Sequence, residues 1–134
     1  MNYWLMKTEP GTFSWSDLEK EKKTTWDGVR NFQARNNLKA MEKGDSAFIY
    51  HSGEEKAIIG IAKVITPAYP DPHDKDWIVV DIAADKKLKT AVTLTQVKST
   101  RALSSMVLVR SSRLSVQPVK KEEFEKIIAL SEGK

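Results

Sequence analysis

The chain has 134 residues and 40% hydrophobic content, which predicts a single domain over residues 1–134 with one modest core. It contains no cysteine, so disulfides, thiolate chemistry and cysteine-ligated metal sites are excluded. The formal net charge is +4, yet residues 86–121 hold nine cations and no carboxylate. We interpret that basic run either as a footprint for phosphate or as a solvated face.

No targeting or membrane segment is expected from the sequence. Residues 2–6 are too short and too aromatic for the core of a signal peptide. No apolar run approaches the length needed to span a bilayer. We therefore expect a soluble, cytoplasmic protein with no membrane partner.

The first half of the chain predicts strands at its start and middle with two helices between them. A strand is predicted over Asn2–Thr8, and a helix follows Ser14, an N-cap candidate with Asp17 three residues on. A second helix is predicted over Phe32–Met41. Two strands joined as a hairpin are then predicted over residues 46–52 and 57–65.

The second half begins with residues 66–76, where three prolines predict an irregular loop. A strand over 77–84 follows, then a short helix from about Thr93, and an apolar-striped helix closes the chain after Pro118. Between them, an interrupted strand is predicted over residues 106–119. Its second part has Leu114, Val116 and Pro118 on one face and Arg113, Ser115 and Gln117 on the other. Since no βαβ alternation occurs, we predict an α+β domain with a mixed or antiparallel, barrel-like sheet.

Catalytic and metal sites are weakly indicated. Asp45, His51 and Ser52 supply the residue types of a triad, but the side chains of adjacent strand residues diverge. His73 and its neighbouring aspartates are better interpreted as a solvated acidic loop than as a metal site. We therefore predict a non-catalytic protein with no metal and no cofactor.

The four tryptophans divide into core and functional candidates. Trp15 and Trp77 lie in amphipathic or apolar segments and are expected in the core. Trp4 is equally compatible with core and site. Trp26 lies among polar residues, which favours a stacking face for a ligand.

Polar residues next to the second helix form a further candidate site. Arg30 is expected either to hold a phosphate at the helix N-terminus or to pair with Asp27. Asn31 is equally well explained as the N-cap of that helix. The strand face with Arg113, Ser115 and Gln117 offers groups that could read polar edges, or it is a solvated sheet face.

Several motifs in fixed order resemble one family. The motifs are YWLMKTEP, W-x-GVRNFQARN, a GD turn, YHS, GIAKV, AYPD, VDI and LVRSSRLSVQPV. Together they resemble EVE domain proteins over Asn2–Leu130. The resemblance implies a PUA-like fold, a small β-barrel with flanking helices. It also implies an aromatic pocket, as in the related YTH domains, for a modified cytosine or N6-methyladenine in DNA or RNA.

The resemblance implies a role for each candidate residue. Trp26 would cover the flipped base, while Asn31 and the pair His51 and Ser52 would bond to its edge. Trp4 and Lys7 would line the mouth, and Tyr69 would form a mobile rim. Arg110, Ser112 and Ser115 would close the far side and meet phosphate. Arg30, Phe32 and Arg113 are further candidate ligand-binding residues.

The implied partner is nucleic acid carrying modified bases, with restriction or RNA-modification enzymes acting in trans. Two other functions stay open at this point. One is a module that binds a free nucleoside or another small molecule. The other is a nucleobase-processing enzyme with His51 as its general base.

Overall fold

The computed structural model describes residues 1–134 and contains six strands and five α-helices. The strands are β1 (Tyr3–Thr8), β2 (Lys23–Trp26), β3 (Ser46–His51), β4 (Ala57–Asp71), β5 (Asp74–Thr93) and β6 (Val116–Val119). The helices are α1 (Trp15–Glu21), α2 (Phe32–Ala40), α3 (Leu94–Ser99), α4 (Val107–Arg110) and α5 (Lys121–Ser131), with a single 3₁₀ turn over Arg101–Leu103. No helix has the length and apolar character needed to cross a bilayer.

All six strands belong to one mixed sheet in the order β2-β5-β4-β3-β1-β6. Only the β1–β3 pair is parallel, with Tyr3 opposite Ser46, and every other pair is antiparallel. The edge strands β2 and β6 do not pair with each other, so the sheet is open. The predicted α+β class with a mixed sheet is confirmed. The sheet does not close into a complete barrel, because its two edge strands do not pair.

Helix α2 lies across the open side of the sheet and contacts β4, β5 and β6. On one side, the Asn37 amide donates to the Val116 carbonyl of β6 at 2.7 Å. On the other, the Arg35 guanidinium donates to the Asp76 carbonyl of β5 at 3.0 Å. The helix therefore joins two strands that the sheet itself leaves apart.

Each face of the sheet carries its own hydrophobic core. In β1, Trp4 and Met6 pack into one core and Leu5 into the other, because successive strand side chains point to opposite faces. Helices α1 and α2 cover the first core, and α3, α4 and α5 cover the second. Strand β3 is buried at every residue because strands flank it on both sides and helices cover both faces.

The capping signals read from the sequence are confirmed. Ser14 and Asp17 form a reciprocal capping box at the start of α1. Asn31 accepts a hydrogen bond from the Ala34 N–H at 2.9 Å and caps α2. The short helix near Thr93 is also confirmed, with Thr93 as its N-cap.

The predicted loop over residues 66–76 is wrong. Strand β4 continues to Asp71, a turn at Pro72 and His73 follows, and β5 begins at Asp74. Prolines disrupt a regular ladder, but here Pro67 and Pro70 lie where the β4–β5 register shifts, and such bulges accept residues that donate no hydrogen bond.

The strand predicted through residues 106–119 is also wrong in its first part. Residues 107–110 form α4, and the regular strand begins only at Val116. Gln117 does not share a solvent face with Arg113, because its side chain is fully buried and its amide donates to the Leu114 carbonyl at 2.8 Å. The turn over residues 111–115 breaks the two-residue alternation on which the prediction depended.

The contact between Gly60 and Trp15 gives a test of this packing. A Cβ on Gly60 would lie 2.7 Å from carbons of the Trp15 ring, which is only 2% exposed and has no room to move. We expect Gly60→Ala to lower the free energy of unfolding by about 1–3 kcal/mol through overpacking. Urea denaturation measures this, with Gly11→Ala as control because nothing lies within 4 Å of a Cβ there. Equal midpoints for the two variants would contradict the packing.

Candidate functional site

A pocket of about 570 Å³ opens where β1, β2 and the segment after β2 meet, and we call it the tryptophan pocket. This volume falls within the roughly 300–1,000 Å³ typical of ligand sites. Its lining comprises Lys7, Thr8, Glu9, Thr12, Phe13, Glu21, Thr24, Thr25, Trp26, Asp27, Gly28, Val29, Arg30 and Ser115. Most of the segment TWDGVRN is therefore on its wall.

The apolar wall of the tryptophan pocket consists of Phe13, Trp26 and Val29. Trp26 ends β2 opposite Val80, and it is only 8% exposed because part of its ring packs into the core. The Phe13 ring meets it edge-on, with the ring centroids 6.2 Å apart. Core packing thus holds the aromatic surface rigidly toward the pocket.

Phe13 is a pocket residue that the sequence reasoning missed. It directly precedes Ser14, the N-cap of α1, and an apolar residue in that position commonly packs against the first helical turn. That pattern could have indicated a fixed, partly buried ring. It could not have indicated the contact with Trp26, which comes from a different element.

The polar lining of the tryptophan pocket contains more acid than base. Three carboxylates, from Glu9, Glu21 and Asp27, face two cations, from Lys7 and Arg30. Such a surface repels a phosphate and suits a neutral ligand that donates N–H groups. Hydroxyls from threonines and Ser115 add further donors and acceptors.

Lys7 connects the pocket to the turn over residues 111–115. Its ammonium donates to the Ser112 carbonyl, and its backbone N–H donates to the Ser115 carbonyl at 2.9 Å. Partial burial lowers the pKa of Lys7 because desolvation disfavours the charged form. The ammonium also lies 5.6 Å from the centre of the Tyr50 ring.

That turn forms part of a second concavity of about 370 Å³, which we call the arginine cleft. Its lining comprises Asn31, Gln33, Arg110, Ser111, Ser112, Arg113 and Leu114. The cleft contains two guanidinium groups and no carboxylate. It adjoins the tryptophan pocket, because Arg30 and Ser115 line that pocket and are the chain neighbours of Asn31 and Leu114.

The rest of the basic run lies elsewhere. Lys86 and Lys89 line a hollow beside α5, while Lys120 and Lys121 line another next to β1. Six of the nine cations of residues 86–121 are thus divided among three separate concavities. Among them only Arg110 and Arg113 line the arginine cleft.

Two stacked aromatic rings lie beside the start of α2. The Phe32 and Trp77 rings are 5.3 Å apart at an interplanar angle of 26°. Arg30 and Arg35 each place a guanidinium within 6 Å of the Trp77 ring centre. Trp77 was expected in the core, but it is only partly buried because its partner Phe32 is itself exposed. We call these four residues the aromatic cluster.

The ion pair of Arg30 differs from the expectation. Its guanidinium lies 3.8 Å from the buried carboxylate of Asp71, and not against Asp27. The continuation of β4 through Asp71 explains the difference, because it carries that carboxylate to the cluster.

Nine of the thirteen predicted site residues lie in these three neighbouring features. The tryptophan pocket holds Lys7, Trp26, Arg30 and Ser115, the arginine cleft holds Asn31, Arg110, Ser112 and Arg113, and the aromatic cluster holds Phe32. Their binding roles stay predictions. The other four, Trp4, His51, Ser52 and Tyr69, line none of the three.

The ring nitrogens of Trp4 and His51 are hydrogen-bonded to other groups of the protein. The Trp4 indole N–H donates to the buried carboxylate of Asp45 at 3.0 Å. The Nε2 atom of His51 accepts from the Trp15 N–H at 3.0 Å, and its Nδ1 atom lies 2.7 Å from the Glu55 carboxylate. Both ring nitrogens are therefore occupied, which leaves His51 no free atom for a ligand.

Ser52 lies behind the pocket wall. Its hydroxyl contacts the carbonyl of Thr8 and the carboxylate of Glu9, both of which belong to pocket-lining residues. Ser52 therefore supports the wall and does not line it.

Asp71, His73, Asp74 and Asp76 do not converge, since no group of three or more metal-binding side chains lies together.

Tyr69 also lies behind the wall. It belongs to β4 and not to a loop, so the predicted mobile rim is wrong. Its hydroxyl donates to Asp81 at 2.6 Å, and the hydroxyl of pocket residue Thr25 donates to the same carboxylate at 2.8 Å. The hydrogen bond to Asp81 is the main cause that raises the pKa of Tyr69.

Asp81 makes this network dependent on pH. Desolvation alone would raise its pKa, but hydrogen bonds from Tyr69, Thr25 and Thr66, with the charge of Lys23, hold the pKa below its ordinary value. A depressed folded-state pKa stabilises the protein above the ordinary value of about 4. That contribution is lost as the pH falls through the folded-state pKa.

We expect Tyr69→Phe to lower the free energy of unfolding by about 1 kcal/mol at pH 7, since it removes one donor to the carboxylate. The difference from the unmodified protein should shrink below about pH 4 as Asp81 becomes protonated. Urea denaturation at several pH values measures this. Tyr3→Phe serves as control, because Tyr3 packs on Phe124 of the other core. A difference that does not change with pH would contradict the account.

Known proteins are similar to this chain in both sequence and fold. Residues 2–130 match the EVE domain. Thymocyte nuclear protein 1 of Mus musculus is 39% identical in an alignment that covers 98% of this chain and 74% of that protein. An NMR structure of a Rhodopseudomonas palustris protein is 46% identical with a TM-score of 0.94, covering 98% of this chain and 94% of that one.

A further similar structure contains a ligand. It is a crystal structure of human THYN1 protein in complex with DNA that contains 5-methylcytosine. It is 35% identical with a TM-score of 0.92, and it covers 100% of this chain and 99% of that chain. The PUA-like fold expected from the resemblance is confirmed by these matches. The chain therefore belongs to the EVE domain family.

Proposed function

We propose that this protein is a binding module for DNA that carries a modified base. The tryptophan pocket takes the base, and the arginine cleft takes a phosphate of the same strand. The observation that carries the proposal is the division of charge between two adjoining concavities, one with excess carboxylate and one with guanidinium alone. The complex of the similar THYN1 protein with 5-methylcytosine DNA supports the class of ligand.

The chemistry of the pocket fits an amino-bearing base. Cytosine and adenine each carry an exocyclic amino group, and the carboxylates of Glu9, Glu21 and Asp27 are acceptors for it. The methyl group of a modified base would pack on Trp26 and Phe13. One methyl group in an apolar pocket supplies only about 1–3 kcal/mol of discrimination. Modified cytosine is our first choice, and N6-methyladenine and RNA are the alternatives for the same site.

The arginine cleft supplies the contacts to the backbone. Arg110 and Arg113 are exposed and have no carboxylate partner in the cleft. The start of α2 also lines the cleft through Asn31 and Gln33, and helix N-termini favour anions. A base within a duplex must leave the stack at a cost of a few kcal/mol. Phosphate contacts in the cleft would offset that cost and make the affinity depend on salt.

A second candidate is a module for free nucleosides. The acidic lining of the tryptophan pocket favours it, because a neutral nucleoside would need no phosphate contact. Affinity for a nucleoside would change little with salt, whereas affinity for DNA would fall. The structure argues against an enzyme that uses His51, because that ring is buried and both nitrogens are engaged.

We expect Trp26→Phe to lower the preference for a 5-methylcytosine duplex over its unmodified counterpart several-fold. The reason is that the variant removes the larger aromatic surface against which the methyl group packs. Fluorescence anisotropy with the two labelled duplexes measures the preference. Trp4→Phe is the matched control, because Trp4 is also a buried core tryptophan but lies outside the pocket. An unchanged preference in Trp26→Phe would remove Trp26 from recognition.

Arg110→Ala and Arg113→Ala should weaken binding to modified and unmodified duplexes equally. Each variant should reduce the slope of log affinity against log salt by about 1, because one phosphate contact is lost. Binding measured at four salt concentrations gives the slope. Lys89→Ala is the control, because Lys89 belongs to the same basic run but lines a different hollow. A slope unchanged by both arginine variants, or reduced as much by Lys89→Ala, would contradict the assignment of the cleft.

A further inference from the structure

Phe32 is exposed to an extent that the fold does not explain. Apart from Met1, it is the only large hydrophobic side chain left in solvent, at 65% exposure. It occupies the first residue of α2, where a polar residue would serve the helix equally well. Single exposed apolar residues are common, so the exposure alone indicates no ligand.

The ring is also held in a fixed position. It stacks on Trp77, and the Arg35 guanidinium lies 4.8 Å from its centre. Arg35 is itself fixed by its hydrogen bond to the Asp76 carbonyl. An exposed ring that is already ordered loses little side-chain entropy when a second planar group stacks on it. The flanking guanidiniums add positive charge beside that surface.

Along the chain, Phe32 lies between two residues of the arginine cleft and two positions after a residue of the tryptophan pocket. Arg30 lines the tryptophan pocket, and both Asn31 and Gln33 line the arginine cleft. A nucleotide whose base fills the pocket and whose phosphate fills the cleft would have its chain neighbour next to this position. The aromatic cluster thus offers an aromatic face where the next base of the strand would pass.

We propose that Phe32 is the stacking platform for the DNA base adjacent to the one held in the tryptophan pocket. This inference rests on the proposed function and extends it from one base to two. Base–aromatic stacking tolerates every base, because each base has a π-face. The site would therefore add affinity for the strand without adding a sequence requirement at the neighbouring position.

The test is a double-mutant cycle in which one change is made in the protein and the other in the DNA. The unmodified protein and Phe32→Ala are each titrated with a 5-methylcytosine duplex. Each is also titrated with duplexes in which an abasic spacer replaces the 5′ or the 3′ neighbour of the modified base. Phe32→Ala should weaken binding to the full duplex by roughly tenfold. It should have almost no effect once the stacked neighbour is missing, because both changes remove the same contact.

Two further variants separate stacking from other roles. Phe32→Tyr keeps the ring and should bind like the unmodified protein. Phe32→Leu keeps apolar area without a π-face and should resemble Phe32→Ala. Sedimentation of the unmodified protein tests instead whether the exposed ring joins two copies of the chain. A dimer that Phe32→Ala dissociates would overturn the proposal.

The outcomes distinguish this proposal from the proposed function. If the losses from Phe32→Ala and from both abasic spacers simply add, Phe32 does not stack on a neighbour, although base recognition in the pocket stands. If Phe32→Leu binds as tightly as the unmodified protein, the platform is also rejected. If the unmodified protein binds DNA without preferring the modified duplex, the proposed function fails, and the platform fails with it because the spacers then lie beside no defined pocket base. No binding to any DNA overturns both.

Discussion

The attachment of α2 across the open side of the sheet is the constraint on which the candidate site depends. Hydrogen bonds from Asn37 to β6 and from Arg35 to β5 fix this helix at both sides. The residues just before and at its start are Arg30, Asn31 and Phe32, and together they contribute to all three parts of the site. Any shift of the helix would therefore move the pocket wall, the cleft and the exposed ring together. A rigid backbone placement of this kind is what a preorganised binding site requires.

In the proposed function, the separation of charge gives each concavity a distinct task. The carboxylates would disfavour phosphate in the tryptophan pocket, while the guanidinium groups of the arginine cleft would favour it. Lys7 belongs to both regions, since it lines the pocket and donates to the carbonyl of Ser112 in the cleft. Trp26 packs into the core on one side and faces the pocket on the other, so under the proposed function stability and recognition would depend on the same ring. A variant at such a residue needs a control variant at another buried tryptophan, and Trp4 is one.

Local signals in the sequence were sufficient for much of the fold and for part of the site. Ser14 is recognisable as a cap, and Asn31 as a candidate cap, because a cap depends on residues three apart. Segments whose conformation depends on distant partners were not recognised. Proline-rich residues 66–71 are a strand because β5 pairs with them, and Gln117 is buried because the preceding turn supplies its hydrogen-bond acceptors. The split of the basic run among separate hollows likewise follows from the fold and has no counterpart in the order of residues.

Contact between Trp26 and a modified base can be measured by NMR. The four tryptophan indole N–H signals are followed while the protein is titrated with two duplexes, one with 5-methylcytosine and one unmodified. The Trp26 signal should respond differently to the two duplexes, because in the proposed function its ring contacts the modified base. The Trp77 signal should move with both, and the Trp4 signal, held by Asp45, should move with neither. A Trp26 signal that responds equally to both duplexes, or that does not respond while DNA binds, would contradict the account.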